Sequence, residues 1–287
     1  MNYFERLTTY VKAIRGNSNA QFSIAKYMME NDDPDSKDRA ITWFTNSANQ
    51  GHSEACLYIA KHFIRSNDTD NAIKYLRLSI PSPTGIQESL LGQMLLNGFT
   101  AYIDQKRMDQ SSGEPVSDLD NYIKSLYPQI EKTHRLCTSD KNAQENLEEA
   151  LNLLNQGIEK NNPLALHALA IYTLEYKDGL TKPERNIALD WLHRAAEANF
   201  APSLQVLAGM YENGLFGIKT DIGKGLDMRI KAAETGSKDA QYALGMLIYK
   251  GNGFEQNRKK GIVLMKMAAK QGHREAIDFL ESIDSKI

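Results

Sequence analysis

The strongest constraint on this chain is a short block of residues that recurs along its length. Four copies align without gaps, namely SANQGHSEA (47–55), AAEANFAPS (195–203), AAETGSKDA (232–240) and AAKQGHREA (268–276). The segment GIEKNNPLA (157–165) fits the same frame. The last three strong copies start at residues 195, 232 and 268, which are 37 and 36 residues apart. A period in the high thirties is typical of solenoids built from stacked helix pairs.

Each block predicts the end of one helix and the start of the next. Its fifth position holds glycine or asparagine, the residues that best tolerate the left-handed backbone just past a helix C-terminus. These residues are Gly51, Asn161, Asn199, Gly236 and Gly272, and Gly16 falls in the same column. We call the helix that follows each block helix A, and the helix that leads into the block helix B.

Both helices carry regular columns of residues. In helix A a large apolar residue is followed directly by a small one, which predicts a packed ridge beside a close helix crossing. The pairs are Ile24–Ala25, Ile59–Ala60, Leu91–Gly92, Leu169–Ala170, Leu207–Ala208 and Leu244–Gly245. Helix B has apolar or small residues at spacings of three and eight, which form one helix face. Its predicted N-cap positions are Ser36, Asp68, Asn146, Glu184, Asp221 and Asn257. The columns predict six helix pairs, with TTYVKAIRGN as a half-repeat in front and a last helix (IDFLESI) behind.

These columns resemble the Sel-1-like repeat family, a relative of the tetratricopeptide repeats. The clearest copy is residues 240–276, with AQYALGMLIYKGNGF, then NRKKG, then MKMAAKQGHREA. The resemblance implies an all-α, right-handed superhelical solenoid that forms a single domain over residues 1–287, with a concave surface lined by the A helices. It also implies protein–protein contact. Some secreted bacterial members carry one disulfide per repeat, a pattern that this chain lacks because it has only Cys56 and Cys137.

The third pair contains an insertion of about 41 residues, over about 99–145. Gly98 and Asn146 are 48 positions apart, whereas the same connection takes 7 positions from Gly214 to Asp221. Its second half predicts an amphipathic helix, with Tyr122 and Tyr127 beside the apolar positions. Such a helix usually covers its own chain. The alternative is an arm that contacts a partner.

Composition excludes several classes of protein. With 34 basic and 36 acidic residues the net charge is −2, which gives no electrostatic footprint for nucleic acid. No apolar run is long enough to span a membrane, and no signal peptide is visible, so we predict a cytoplasmic protein, or a periplasmic one if a leader had been removed. We predict no metal and no cofactor. Cys56 is expected to be buried in helix A, and Cys137 is a candidate exposed thiol.

The A helices carry the candidate binding residues. If their ridge faces the core, the third, sixth and tenth positions point the opposite way at 100° per residue. This face is basic at one end, with Lys26, Lys61 and Arg65, and apolar from Leu90 to Met246, with His167 at its rim. The predicted partner-binding residues are Lys61, Arg65, Leu90, Ile171, Glu175, Val206, Tyr242 and Met246, together with Tyr122 and Tyr127 of the insertion. The competing interpretation is that the chain itself buries this apolar stripe.

The sequence therefore predicts a non-enzymatic protein that binds another protein. Family analogy offers two roles, an immunity protein that neutralises a toxic bacterial effector or an adaptor in a signalling or assembly pathway. A hydrolase that uses a pocket between the insertion and the A helices is the alternative of another class, and no catalytic motif supports it.

Overall fold

The computed structural model describes residues 3–30, 34–110, 136–137, 139–177 and 179–284. Within these ranges the chain is all-α, without a strand, as the sequence predicts. The helices are α1 (Tyr3–Ile14), α2 (Ser18–Met29), α3 (Pro34–Ala48), α4 (Ser53–Arg65), α5 (Thr69–Leu78), α6 (Ile86–Gln110), α7 (Asp140–Glu159), α8 (Pro163–Glu175), α9 (Lys182–Glu197), α10 (Ala201–Asn213), α11 (Ile222–Glu234), α12 (Lys238–Lys250), α13 (Arg258–Lys270) and α14 (Arg274–Asp284).

The helices form the six predicted pairs. The A helices are α2, α4, α6, α8, α10 and α12, and each is followed by its B helix, from α3 to α13. Helix α1 is the half-repeat in front, and α14 is the last helix. The chain divides into two compact units, and along the repeats the division falls between Ala165 and Leu166 in the first turn of α8.

The turns between repeats have the backbone that the sequence predicts. Gly51, Gly236 and Gly272 have φ of 79°, 85° and 76°, and the asparagines in the same column, Asn161 and Asn199, have φ of 51° and 57°. Because L residues other than asparagine and aspartate rarely adopt these angles, the column is restricted to the residues found there.

Three of the six predicted N-caps are confirmed. Asp68, Asp221 and Asn257 each accept a hydrogen bond from a first-turn backbone N–H. The other three are wrong, because α3 begins earlier, at Pro34, and the actual caps of α7 and α9 are Ser139 and Thr181. Glu184 instead lies at the third helical position and completes a capping box with Thr181.

The small residues of the A and B columns allow close helix crossings. In the sixth pair, an added Cβ at Gly261 would lie 2.6 Å from the carbonyl oxygen of Gly245, and one at Gly245 would lie 2.9 Å from the carbonyl oxygen of Gly261. Both are contacts between backbones, which a side chain cannot relieve by rotating. The prediction of a close crossing at this column is confirmed.

The insertion is partly a lengthening of the flanking helices. Helix α6 continues through Gln110, and α7 starts at Asp140, ahead of the predicted start at Asn146. Tyr102 Oη and Lys106 Nζ donate to Asp140 Oδ1 at 2.9 and 2.8 Å, which ties the extended end of α6 to the start of α7. Cys137 is 4% exposed, so the prediction of an exposed thiol is wrong.

The segment IPSPTG, between α5 and α6, is held by a buried carboxylate. Glu88 has no exposed surface. It accepts hydrogen bonds from the backbone N–H of Ser82 at 2.6 Å and from the Ser82 hydroxyl, and it forms an ion pair with Lys160 Nζ at 3.0 Å. The same Nζ donates to the carbonyl oxygen of Ser82 at 2.6 Å. This cluster replaces the packing that a regular end of helix B would supply.

Candidate protein-binding surface

We use the term A-helix face for the third, sixth and tenth positions of the A helices, and we describe it separately in each unit. In the first unit its charged members are exposed. Lys26 on α2 and Lys61 on α4 share the sixth position, and Arg65 lies one helical turn beyond Lys61. Tyr58, at the third position of α4, is fixed by stacking on Phe44, with ring centroids 3.9 Å apart. The basic end predicted from the sequence is therefore exposed in this unit.

On α6 the same face is half-buried and mixed in polarity. Leu90, Gln93 and Asn97 are neither fully exposed nor fully buried. Leu90 therefore offers only part of its side chain to a partner. No further apolar residue of α6 lies at these three positions.

In the second unit the face retains accessible apolar residues on α8 and α12. Ile171 and Met246 are half-buried at the sixth position, and Glu175 is half-buried at the end of α8. Ile171 packs against the core of the unit with part of its side chain. These residues lie on helices that pack within the repeat, which is the support that a binding surface needs.

Tyr242 is positioned by the next repeat. Its ring lies 4.5 Å from the His273 imidazole, which in turn lies 3.5 Å from Asp239 Oδ1 and 3.3 Å from Glu275 Oε2. Burial, together with the nearby negative charge of Glu275, raises the pKa of the Tyr242 hydroxyl. The hydroxyl therefore stays neutral and able to donate a hydrogen bond at physiological pH.

Several residues of the predicted stripe and its rim are not on the surface. Val206 is 1% exposed and belongs to the core of the second unit, and His167, expected at the rim, is 2% exposed. Val206 is buried because α10 is covered on every side, with Ala201 and Ser203 through Met210 all buried. His167 lies on α8 and is buried against Ser203 of α10. For α10 the competing interpretation, burial of the stripe by the chain itself, is the correct one. Tyr122 and Tyr127 lie outside the described residues.

The clusters that could support catalysis are closed or incomplete in the part of the chain that is described. His167 Nδ1 lies 2.9 Å from Ser203 Oγ, but both side chains are buried, and burial lowers the pKa of His167 to about 3. Burial also raises the pKa of Cys56 to about 11. A thiol in that state is not a nucleophile at neutral pH. No group of three or more potential metal ligands occurs among the described residues.

A groove of about 820 Å³ lies elsewhere in the second unit, where the ends of α9 and α11 meet the start of α10. His193, Leu204, Met228 and Lys231 are among its lining residues. Burial and the nearby charge of Lys224 lower the pKa of His193, in that order of importance. The sequence analysis did not identify this groove, because its residues come from three helices and from different columns of helix B and helix A. None of the described helices is long and apolar enough to cross a membrane.

Comparison with known structures places the fold among bacterial repeat proteins. A Sel1 repeat protein from Oxalobacter formigenes has 18% identity and a TM-score of 0.52, with 93% of this chain and 88% of that chain covered. The immunity protein Pa5087 from Pseudomonas aeruginosa has 14% identity and a TM-score of 0.52, and Pseudomonas aeruginosa 5086 has 15% identity and a TM-score of 0.50. For both of these proteins, the superposition covers 88% of this chain and 81% of the other protein's chain. At these identities the likeness concerns the fold alone.

The family model confirms the resemblance that the sequence columns indicate. The model described as Sel1 repeat matches residues 18–52, 163–200, 202–237 and 238–273, which together make up half of the chain. No curated protein sequence matches significantly. The chain therefore belongs to the Sel1 repeat family, whose repeats mediate protein–protein interaction.

Proposed function

We propose that this protein is a non-enzymatic binding protein that holds a partner protein on its A-helix face. The observation that carries the proposal is the repeated sixth position of the A helices. It presents exposed lysines on α2 and α4 in the first unit, and accessible apolar side chains on α8 and α12 in the second. Accessible apolar groups on helices, with charged groups elsewhere on the same helix positions, are consistent with the apolar core and polar rim of a recognition surface.

The A-helix positions have different roles in the two units. Lys26, Lys61 and Arg65 attract an acidic region of the partner, which raises the association rate more than the final affinity. Ile171 and Met246, together with the ring of Tyr242, supply the apolar contacts, which determine how slowly the complex dissociates. Leu90 contributes at the margin of the face in the first unit. Glu175 offers only the accessible part of its side chain in the second unit, because both of its carboxylate oxygens are buried.

We further propose that the partner is a toxic bacterial effector and that the protein acts as its immunity protein. The support is analogy with the immunity protein Pa5087, which shares the fold. An adaptor in a signalling or assembly pathway is the second candidate, because the same face would serve it. The contribution of Tyr122 and Tyr127, and the cytoplasmic location, remain predictions.

The test starts with capture of stoichiometric partners from the source organism and continues with variants of the face. The variant Ile171→Ala/Met246→Ala should weaken binding of the captured partner by about 10- to 100-fold, mainly through faster dissociation. The matched control is Ile187→Ala/Met267→Ala, because these two residues have the same types, lie in the same unit and are exposed on B helices. The control should bind as the wild type does.

Salt dependence separates the charged part from the apolar part. Lys61→Glu/Arg65→Glu should lower the association rate constant and flatten its dependence on salt, with little change in dissociation. Lys74→Glu, an exposed site on α5, is the control. If the face variants and the controls bind equally well, the A-helix face is not the binding surface. If the captured partner is not toxic when produced without this protein, the immunity role is wrong and the adaptor role stands.

A further inference from the structure

The outer face of α13 is cationic, although the chain as a whole has a net charge of −2. Five of the 13 residues of α13 are basic and none is acidic. Its buried residues are Gly261, Met265 and Ala268. At 100° per residue, six residues point away from this buried side, and all six are exposed. We call them the α13 face, and they are Lys259, Lys260, Val263, Lys266, Met267 and Lys270.

The chain provides its own comparison, because the repeat frame assigns six equivalent positions to the B helix of each of the other five pairs. Each of those five sets contains at least one carboxylate and at most two lysines or arginines. In the preceding pair, for example, the six residues are Gly223, Lys224, Asp227, Ile230, Lys231 and Glu234. The α13 face has four lysines and no carboxylate, so the repeat architecture does not account for its charge.

This charge is not neutralised within the part of the chain that the structure describes. The ammonium groups of the four lysines form no ion pair and no hydrogen bond with another described residue. On α11, by contrast, Lys224 Nζ donates a hydrogen bond to Tyr211 Oη at 2.6 Å. Arg258, which lies outside the α13 face, is placed over the ring of Tyr249, 5.8 Å from its centroid. The lysines of the α13 face are therefore available to an external anion.

The arrangement is electrostatically unfavourable for the helix itself. Arg258, Lys259 and Lys260 form the first turn of α13, next to the positive end of the helix dipole, where acidic side chains are favoured. Lys266 and Lys270 are four residues apart and repel one another. An anionic surface bound to the α13 face would offset both repulsions.

The composition of the α13 face distinguishes between anionic partners. Protein interfaces are enriched in arginine, whose planar fork matches a carboxylate, and they are depleted in lysine, which carries all the charge here. The face has no aromatic ring on which a base of a nucleic acid could stack. Val263 and Met267 project between the lysines with exposed fractions of 58% and 45%. Lysines interspersed with accessible apolar side chains are typical of helices that lie on anionic lipid.

We propose that the α13 face binds the surface of a membrane that contains anionic phospholipid. The four ammonium groups contact the phosphate headgroups, and Val263 and Met267 enter the boundary between headgroups and acyl chains. Each lysine near such a surface strengthens binding by about fivefold, so four lysines favour anionic over neutral lipid by roughly two to three orders of magnitude. The α13 face shares no residue with the A-helix face, so membrane binding and partner binding can be tested separately.

Sedimentation of the full chain with lipid vesicles measures this binding. One set of vesicles contains phosphatidylglycerol and phosphatidylcholine in equal amounts, and the reference set contains phosphatidylcholine alone. The wild type should bind the anionic vesicles at least about 100-fold more strongly than the neutral ones. Added salt should weaken this binding, because the headgroups and the lysines attract one another through water.

Reversal of two charges tests the lysines. Lys259→Glu/Lys266→Glu should bind the anionic vesicles at least about 25-fold more weakly than the wild type. The variant should be at least as stable in urea as the wild type, because one new carboxylate lies near the helix N-terminus and the other lies four residues before Lys270. The matched control is Lys182→Glu/Lys231→Glu, which changes the net charge equally at exposed sites on α9 and α11. This control should bind within about twofold of the wild type.

A second variant tests the apolar pair. Val263→Ser/Met267→Ser should weaken binding to the anionic vesicles by about 3- to 10-fold, and an unchanged affinity would overturn the insertion of these side chains. Equal binding of the wild type to both kinds of vesicle would overturn the proposal, as would equal loss in the α13 variant and its charge control. Release of the protein from the vesicles by soluble poly-glutamate, at the same concentration of negative charge, would overturn it in favour of an acidic protein partner.

Discussion

Replacement of Glu88 by glutamine tests how the irregular segment between α5 and α6 is held. The carboxylate is fully buried, accepts two hydrogen bonds from Ser82 and forms an ion pair with Lys160. Glutamine keeps the shape and one acceptor oxygen, but it removes the charge and places an amide N–H₂ towards a hydroxyl or an ammonium group. The variant therefore isolates the electrostatic part of the cluster.

The structure sets the size of the effect. Hydrogen bonds to a charged group contribute about 1.5–3 kcal/mol, and breaking a buried ion pair costs about 3–5 kcal/mol. The Lys160 side chain is 30% exposed and can turn towards water, so the upper figure does not apply. We expect Glu88→Gln to lower the free energy of unfolding by about 2–3 kcal/mol. At about 2–3 kcal/mol per M urea, the midpoint shifts by about 1 M.

The assay uses the two tryptophans, which lie one in each unit. In a Trp191→Phe background the fluorescence of Trp43 reports on the first unit alone, so urea unfolding can be followed there. Lys141→Met is the matched control, because it removes an exposed ion pair with Glu145 at the start of α7. That control should change stability by less than about 1 kcal/mol.

The pH dependence supplies a second check on Glu88. Burial raises the pKa of this carboxyl, but the hydrogen bonds from Ser82 and the contact with Lys160 outweigh burial and hold the pKa below its usual value. The contribution to stability is therefore complete above the ordinary glutamate pKa of about 4.3 and disappears as the pH falls through the lower folded value. A change below about 0.5 kcal/mol at pH 7 in Glu88→Gln would refute the reasoning.

Three other perturbations test the packing. Gly261→Ala forces two helix backbones apart and should lower the free energy of unfolding by about 1–3 kcal/mol. Gly223→Ala, at a helical site where the new Cβ would meet only Asp221 Oδ1 at 3.6 Å, should raise it by up to about 1 kcal/mol. Urea unfolding measures both. Burial lowers the pKa of His167 to about 3, so the unfolded chain takes up a proton below pH 6.5 that the folded protein does not. The free energy of unfolding should therefore fall by up to about 1.4 kcal/mol per pH unit as the pH drops below 6.5. His167→Gln should lessen that slope when unfolding is measured as a function of pH. The thiols of Cys56 and Cys137 are buried, so a colorimetric thiol reagent should label neither in the native protein and both in urea. Rapid labelling of either thiol in the native protein would contradict this burial.

The repeat columns predicted the fold well because each column is constrained by a local backbone conformation or by close packing between helices. The glycine and asparagine column located the turns, and the small residues located the helix crossings. Helix starts were predicted less well, since several polar residues near one start compete as caps, as Thr181 and Glu184 show. The single domain predicted over residues 1–287 remains a proposal, and coincident unfolding of Trp43 and Trp191 would support it.

The candidate site could be predicted only in part, because a helical wheel indicates which way a side chain points but not how much of it is buried. The wheel placed Val206 opposite the ridge, as it did Ile171, but α10 is covered on all sides and α8 is not. That difference arises from packing between helices, which no spacing along one helix reveals.

The central claim is that the A-helix face binds a protein partner, and one measurement tests it most directly. The stoichiometric partner is captured from the source organism, and its affinity is measured for the wild type, for Ile171→Ala/Met246→Ala and for the control Ile187→Ala/Met267→Ala. The account predicts that the first variant binds about 10- to 100-fold more weakly and that the control binds unchanged. Equal affinity of all three proteins would contradict the assignment of this face.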